Sequence, residues 1–75
     1  MNTISRKLIE LRKTVIDNMI EKYQASNMET RIEDNKLILL FGYNKETDIY
    51  AFELNVTSTP IPEIEKLVKV WYKDY

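Results

Sequence analysis

The chain of 75 residues contains no cysteine, no histidine and a single glycine, Gly42. The lack of cysteine excludes disulfides, thiolate metal sites and a thiol nucleophile. The lack of histidine removes the side chain that most often transfers protons near neutral pH. A lone glycine also excludes a glycine-rich phosphate loop. We therefore expect a protein that is not an enzyme and holds neither a cofactor nor a metal.

Long hydrophobic runs are absent from the first 23 residues, where a charge recurs every few positions. This pattern predicts neither a signal peptide nor a membrane span, and we expect a cytoplasmic protein. The length predicts one domain over residues 1–75. Residue types with AT-rich codons (Phe, Tyr, Met, Ile, Asn and Lys) number 33, against 8 for Gly, Ala, Arg and Pro. This bias indicates a low-GC genome, such as that of a Firmicute or its phage.

Apolar residues follow helical spacing through residues 4–23. The main stripe comprises Ile4, Leu8, Leu11, Val15, Met19 and Tyr23, and Ile9, Ile16 and Ile20 flank it. This stripe is wider than usual, which suits a helix that contacts both a sheet and a second helix. Arg12 falls among the apolar positions. Its stem could cover apolar surface while the guanidinium reaches water, or it could pair with a buried acid or contact a partner.

Two turn signals divide residues 28–57 into three strands. Asp34 and Asn35 both tolerate a positive φ and predict a two-residue hairpin turn. The polar stretch NKET, residues 44–47, predicts a second hairpin loop. The predicted opposed pairs are Glu29–Leu40, Arg31–Ile38, Leu37–Leu54, Leu39–Phe52 and Phe41–Tyr50.

Opposed residues share a face of the sheet, so the two turns together define a core face. It collects Met28, Thr30, Ile32, Leu37, Leu39, Phe41, Tyr50, Phe52 and Leu54. A second helix follows, with Pro62 at its first position and an apolar stripe of Ile64, Leu67, Val68, Trp71 and Tyr75. The sequence thus predicts an α+β fold in the order α-β-β-β-α, a three-stranded antiparallel meander with both helices packed on one face.

The opposite face of the sheet is unusual because it also carries apolar residues. Ile38, Leu40, Ile49 and Ala51 should form its centre, and charged residues that include Glu29, Arg31 and Glu53 should surround them. An apolar centre with a charged rim is typical of protein–protein interfaces. Exposure that a monomer tolerates remains the alternative, since four such side chains cover an ordinary area.

The predicted element order is that of the double-stranded RNA-binding domain, but the residues of that family's binding site are missing. The family presents a lysine cluster at the start of its second helix, whereas here the stretch PEIEKLVK opens with two glutamates. The net charge is −1, so we expect no nucleic-acid partner. Arg6, Lys7 and Lys13, on the basic side of the first helix, are the one alternative for phosphate contact.

From these features we expect a small protein-binding module. It would be an adaptor, an inhibitor or a homodimeric interaction protein that docks through the outer face of the sheet. The alternative is a nucleic-acid-binding module that uses the first helix.

Overall fold

The computed structural model describes residues 5–71 and contains five elements. In chain order these are α1 (Arg6–Lys22), β1 (Glu29–Glu33), β2 (Lys36–Asn44), β3 (Ile49–Asn55) and α2 (Ile61–Trp71). The strands form one antiparallel sheet in the order β1-β2-β3. The predicted α-β-β-β-α fold is confirmed. Ile4 and Tyr75, which the sequence assigned to the helix stripes, lie outside the described residues.

One apolar core joins both helices to the central strand. Its buried members are Ile9, Ile16, Met19, Ala25, Met28, Leu37, Leu39, Val56, Ile64 and Val68. Because α1, α2 and β2 all contribute to this one cluster, the two helices lie on the same side of the sheet. Among the described residues, no helix is long and apolar enough to cross a membrane.

The wide stripe of α1 divides into a buried part and an exposed part. Ser5 caps the helix, since its Oγ accepts a hydrogen bond from the Leu8 backbone N–H at 3.3 Å. Ile9, Ile16 and Met19 are buried, whereas the large side chains of Leu8, Leu11 and Val15 are exposed.

The first hairpin has the predicted turn and register. Asp34 and Asn35 adopt φ values of +50° and +59°, as a two-residue turn of this type requires. The pairs Glu29–Leu40 and Arg31–Ile38 are formed.

The second hairpin has a different register from the predicted one. Phe41 pairs with Phe52, Leu39 with Leu54, and Tyr43 with Tyr50, a shift of two residues on β3. Asn44 extends β2, and Asp48 takes a φ of +56°. The Asn44 carbonyl accepts from the Asp48 N–H, and its side-chain Oδ1 accepts from the Glu46 N–H, both at 2.8 Å. These bonds close the loop one residue later than the sequence indicated.

The helices leave β3 largely uncovered. Phe52 is 47% exposed and Leu54 is also exposed, although their partners Phe41 and Leu39 are on the helix side of the sheet. The prediction that Phe52 and Leu54 are core residues is therefore wrong. Trp71, at the end of α2, is the contact that reaches this strand, with its ring centroid 4.9 Å from that of Phe41 and 5.5 Å from that of Phe52.

Helix α2 begins at Ile61, one residue before the predicted start. Ile64 and Val68 from its predicted stripe are buried. Leu67 is half-buried and Val70 is exposed, so α2 turns a second apolar side away from the core.

Candidate functional site

Leu40, the predicted centre of the outer face, is buried. Only 2% of its surface is exposed, and it is not part of the core beneath the helices. It pairs with Glu29 on one side and with Glu53, not Ala51, on the other. The expectation that Leu40 projects into solvent is therefore wrong.

Two tyrosines explain the burial of Leu40. Simple alternation from Phe41 and Phe52 would place Tyr43 and Tyr50 on the helix side. Instead both line one concave surface with Leu40, and their ring centroids are 5.1 Å apart. The alternation breaks at Gly42, whose φ of +73° favours glycine. The prediction that Tyr50 belongs to the core face is wrong for this reason.

Acidic side chains dominate the polar part of this concave surface. The Tyr43 hydroxyl donates to the Asp48 carboxylate, and this bond raises the pKa of Tyr43. Burial, followed by the charge and hydrogen bond of Glu29, raises the pKa of Tyr50. Tyr50 of β3 and Glu29 of β1 thus line the same concave surface as Leu40.

Arg31 is the basic group of the same surface and is already engaged. Its guanidinium lies 3.4 Å from the carboxylates of both Glu29 and Glu33. The hydrogen bond to Glu33 is the main cause of a raised pKa at Arg31, which stays charged. The charged rim that the sequence predicted therefore forms an ion-pair network of its own.

The structure brings together five of the seven predicted site residues. The concave surface above Leu40 includes Glu29, Arg31, Leu40, Ile49 and Glu53. Ala51 instead lines a neighbouring concavity with Asn27 and Gly42. Ile38 is half-buried and lines neither of these two surfaces.

A groove between β3 and α2 was not predicted. Its apolar lining consists of Leu54, Leu67 and Val70, and Glu63 and Lys66 provide one charge of each sign. The sequence predicts Leu54 on the core face of the sheet and Leu67 in the apolar stripe of the second helix. The apolar pattern could be read from the sequence, but the position of α2 relative to β3 could not. That position leaves the groove between α2 and β3 accessible.

The two edges of the sheet differ in their protection. Three of the five residues of β1 are charged, and Thr30 donates a hydrogen bond to Asp17 of α1. β3 has seven residues, of which Glu53 is the only charged one, and it has neither lysine nor proline. Charges and proline are the usual devices that keep an edge strand from pairing with another chain, so β3 is the unprotected edge.

Arg12 has a structural role that the sequence did not reveal. Its Nη2 donates to the Val56 carbonyl at 2.9 Å and also to the Thr59 carbonyl. The sequence predicted water, a buried acid or a partner protein as the contact of this guanidinium, whereas the structure shows main-chain carbonyls. Arg12 therefore ties the segment before α2 to α1 and fixes the position of α2.

Carboxylates partly neutralise the basic side of α1. Arg6 lies 3.8 Å from Glu10 and also approaches the Asn35 side-chain oxygen at 3.5 Å. Lys13 forms an ion pair with Asp17 at 2.7 Å. Two of the three candidate phosphate contacts are thus already paired.

Within residues 5–71, no group of three or more acidic side chains is arranged to hold a metal ion. No protein-family model matches the chain, and comparisons with curated proteins and with solved structures give no significant match.

Proposed function

We propose that this protein is a small non-catalytic protein-binding module that docks through β3 and its flanks. The supporting observation is the exposure of that strand, since every residue of β3 except Tyr50 is exposed. Three of these residues, Ile49, Phe52 and Leu54, are large and apolar. Apolar area next to unpaired strand backbone is what an extended partner segment binds.

Several residues of the outer-face surface predicted from the sequence belong to the proposed docking surface. Ile49, Ala51 and Glu53 are all on β3, and Glu29 and Arg31 remain as a charged flank. The docking centre moves from Leu40 to the strand itself, because Leu40 is buried and cannot contact a partner. An adaptor, an inhibitor and a homodimer would all use such a surface.

Nucleic-acid binding is the weaker alternative. It would need a basic surface to displace counterions from phosphates. The net charge is −1, and Arg6 and Lys13 both have carboxylate neighbours. These charges favour a protein partner.

The test compares two substitutions at positions of equal exposure. Ile49 on β3 is 63% exposed and Leu11 on α1 is 61% exposed. Tagged wild type, Ile49→Lys and Leu11→Lys would each be cross-linked in cells of the source organism and purified. Because a charge at the docking surface opposes desolvation, we expect Ile49→Lys to lose the cross-linked species and Leu11→Lys to retain it.

A reversed result, in which Leu11→Lys loses the species and Ile49→Lys keeps it, would move the docking surface to the exposed stripe of α1. Equal recovery with all three chains would also contradict docking through β3. An untagged copy of this chain counts as a captured partner in this test.

A further inference from the structure

The regular part of β3 determines how another strand could pair with it. Between Phe52 and Leu54 the faces alternate normally, since Glu53 opposes Leu40 on the outer face and Leu54 opposes Leu39 on the helix side. The alternation is broken beyond Ala51, where Tyr50 lies on the outer face. An added strand can therefore stay in register along residues 52–55.

A second copy of this chain offers a strand of the same length whose edge is equally unprotected. Antiparallel self-pairing around a two-fold axis perpendicular to the sheet places one residue opposite itself. An axis at Glu53 would oppose two like charges, which destabilises a sheet. An axis at Phe52 would place Ala51, where the alternation breaks, opposite the partner's Glu53.

An axis at Leu54 avoids both problems. Leu54 then faces the partner's Leu54 on the helix side, and Glu53 faces the partner's Asn55 on the outer face. A carboxylate opposite an amide is a compatible pair, and no like charges meet. Of the axes at Phe52, Glu53 and Leu54, this is the one that matches charge and alternation together.

The same axis joins the two apolar grooves. Leu54 lines the groove together with Leu67 and Val70, so a two-fold axis at Leu54 brings both grooves to one interface. Glu63 and Lys66, at the sides of each groove, cancel in charge. Burial of exposed apolar surface is the main driving force for association. A strand edge flanked by two apolar grooves provides that surface.

We propose that two copies of the chain pair antiparallel along β3, with the two-fold axis at Leu54, to form a continuous six-stranded sheet. This inference rests on the proposed function and names the partner of the same surface. It also assigns Asn55 and Glu53 as the cross-strand pair that sets the register.

Asn55→Asp is the most selective variant for testing the pair. The Asn55 Oδ1 accepts hydrogen bonds from the Thr57 N–H at 3.0 Å and the Thr57 hydroxyl at 2.6 Å, and aspartate retains this acceptor. The variant therefore keeps the local turn but places a carboxylate opposite the partner's Glu53. By symmetry two like-charge pairs form, and we expect the dimer dissociation constant to rise roughly tenfold.

The matched control is the double variant Glu53→Lys with Asn55→Asp, which replaces the like charges across the axis with opposite charges. Light scattering at increasing concentration should give a dimer for wild type, a shift towards monomer for Asn55→Asp, and a dimer again for the double variant. Unchanged dimerisation in Asn55→Asp, or no recovery in the double variant, would overturn this pairing. A wild-type monomer throughout would overturn the dimer; capture that depends on Ile49 would then leave the proposed function standing.

Discussion

Arg12 shows how one side chain can position a whole element. Its guanidinium binds two main-chain carbonyls just before α2, those of Val56 and Thr59. Both bonds come from a single nitrogen, Nη2, which is one bond farther from the main chain than the Nζ of a lysine, so lysine carries the same charge but falls short of these carbonyls. We expect Arg12→Lys to lower the free energy of unfolding by about 1.5–3 kcal/mol, as measured by urea denaturation. Arg6→Lys, at an exposed ion pair, should change it by less than about 0.5 kcal/mol. Equal effects of the two variants would contradict the role of Arg12.

Tyr50 makes the stability of the folded protein depend on pH in the alkaline range. Its folded-state pKa is raised above the ordinary value of 10.0 by burial and by Glu29. The stability that this shift contributes is complete below the ordinary pKa and is lost as the pH rises through the raised value. Since the pKa of Tyr43 is raised as well, we expect tyrosinate absorbance to show two late-titrating groups in the wild type and one fewer in Tyr50→Phe. Stability of that variant should also fall less steeply above pH 10.0. If Tyr50→Phe instead removed a group that titrates at the ordinary tyrosine pKa, the burial of Tyr50 and its contact with Glu29 would be contradicted.

Some of these residue-level features follow from local sequence and others do not. Asp34 and Asn35 determine a tight turn by their own backbone preferences, so the first hairpin could be predicted. The burial of Leu40 depends on Tyr43 and on Tyr50 from the neighbouring strand, which share its surface because the alternation breaks at Gly42. The partners of Arg12 are more than 40 positions away along the chain. Such long-range contacts leave no periodic signal.

At the scale of elements, β2 is the central strand of the sheet and β3 is an exposed edge strand. Leu37 is completely buried, whereas Phe52 is 47% exposed and is held by stacking on Phe41 at 5.1 Å. Leu37→Ala should cost about 2–5 kcal/mol of unfolding free energy because it leaves a cavity. Phe52→Ala should cost less, about 1–3 kcal/mol, since a partly exposed ring loses less buried area, together with its aromatic contacts to Phe41 and Trp71. Chemical denaturation of both variants measures the difference. A larger loss for Phe52→Ala would mean that α2 covers β3.

The second hairpin shows why faces are easier to predict than registers. A shift of two residues leaves Phe52 and Leu54 on the same face, so the apolar pattern fits both registers. The choice depends on the loop, where Asn44 accepts two backbone hydrogen bonds and Asp48 takes a positive φ. Either loop position was compatible with four polar residues. Loop geometry therefore decided the pairing and, with it, the neighbours of Leu40.

At the scale of the whole molecule, the element order and the shared side of the two helices could be predicted because they follow from periodicity. The coverage of the sheet could not, since two helix stripes do not reveal how far each helix lies from the edge. In this molecule the helices cover β1 and β2 and leave β3 with exposed apolar side chains on a strand edge. A small domain with such an edge gains stability when a strand of another chain pairs with that edge.

The most direct measurement is a disulfide scan along β3, which is simple because the native chain contains no cysteine. Phe52→Cys, Glu53→Cys and Leu54→Cys would be equilibrated separately in a glutathione buffer. With the axis at Leu54, two cysteines at that position oppose each other within disulfide range, while those at position 53 are about 8 Å apart. We predict a disulfide-linked dimer for Leu54→Cys and reduced monomers for the other two after denaturation. Preferential cross-linking through position 52 or 53, or no cross-linking at any position, would contradict the account.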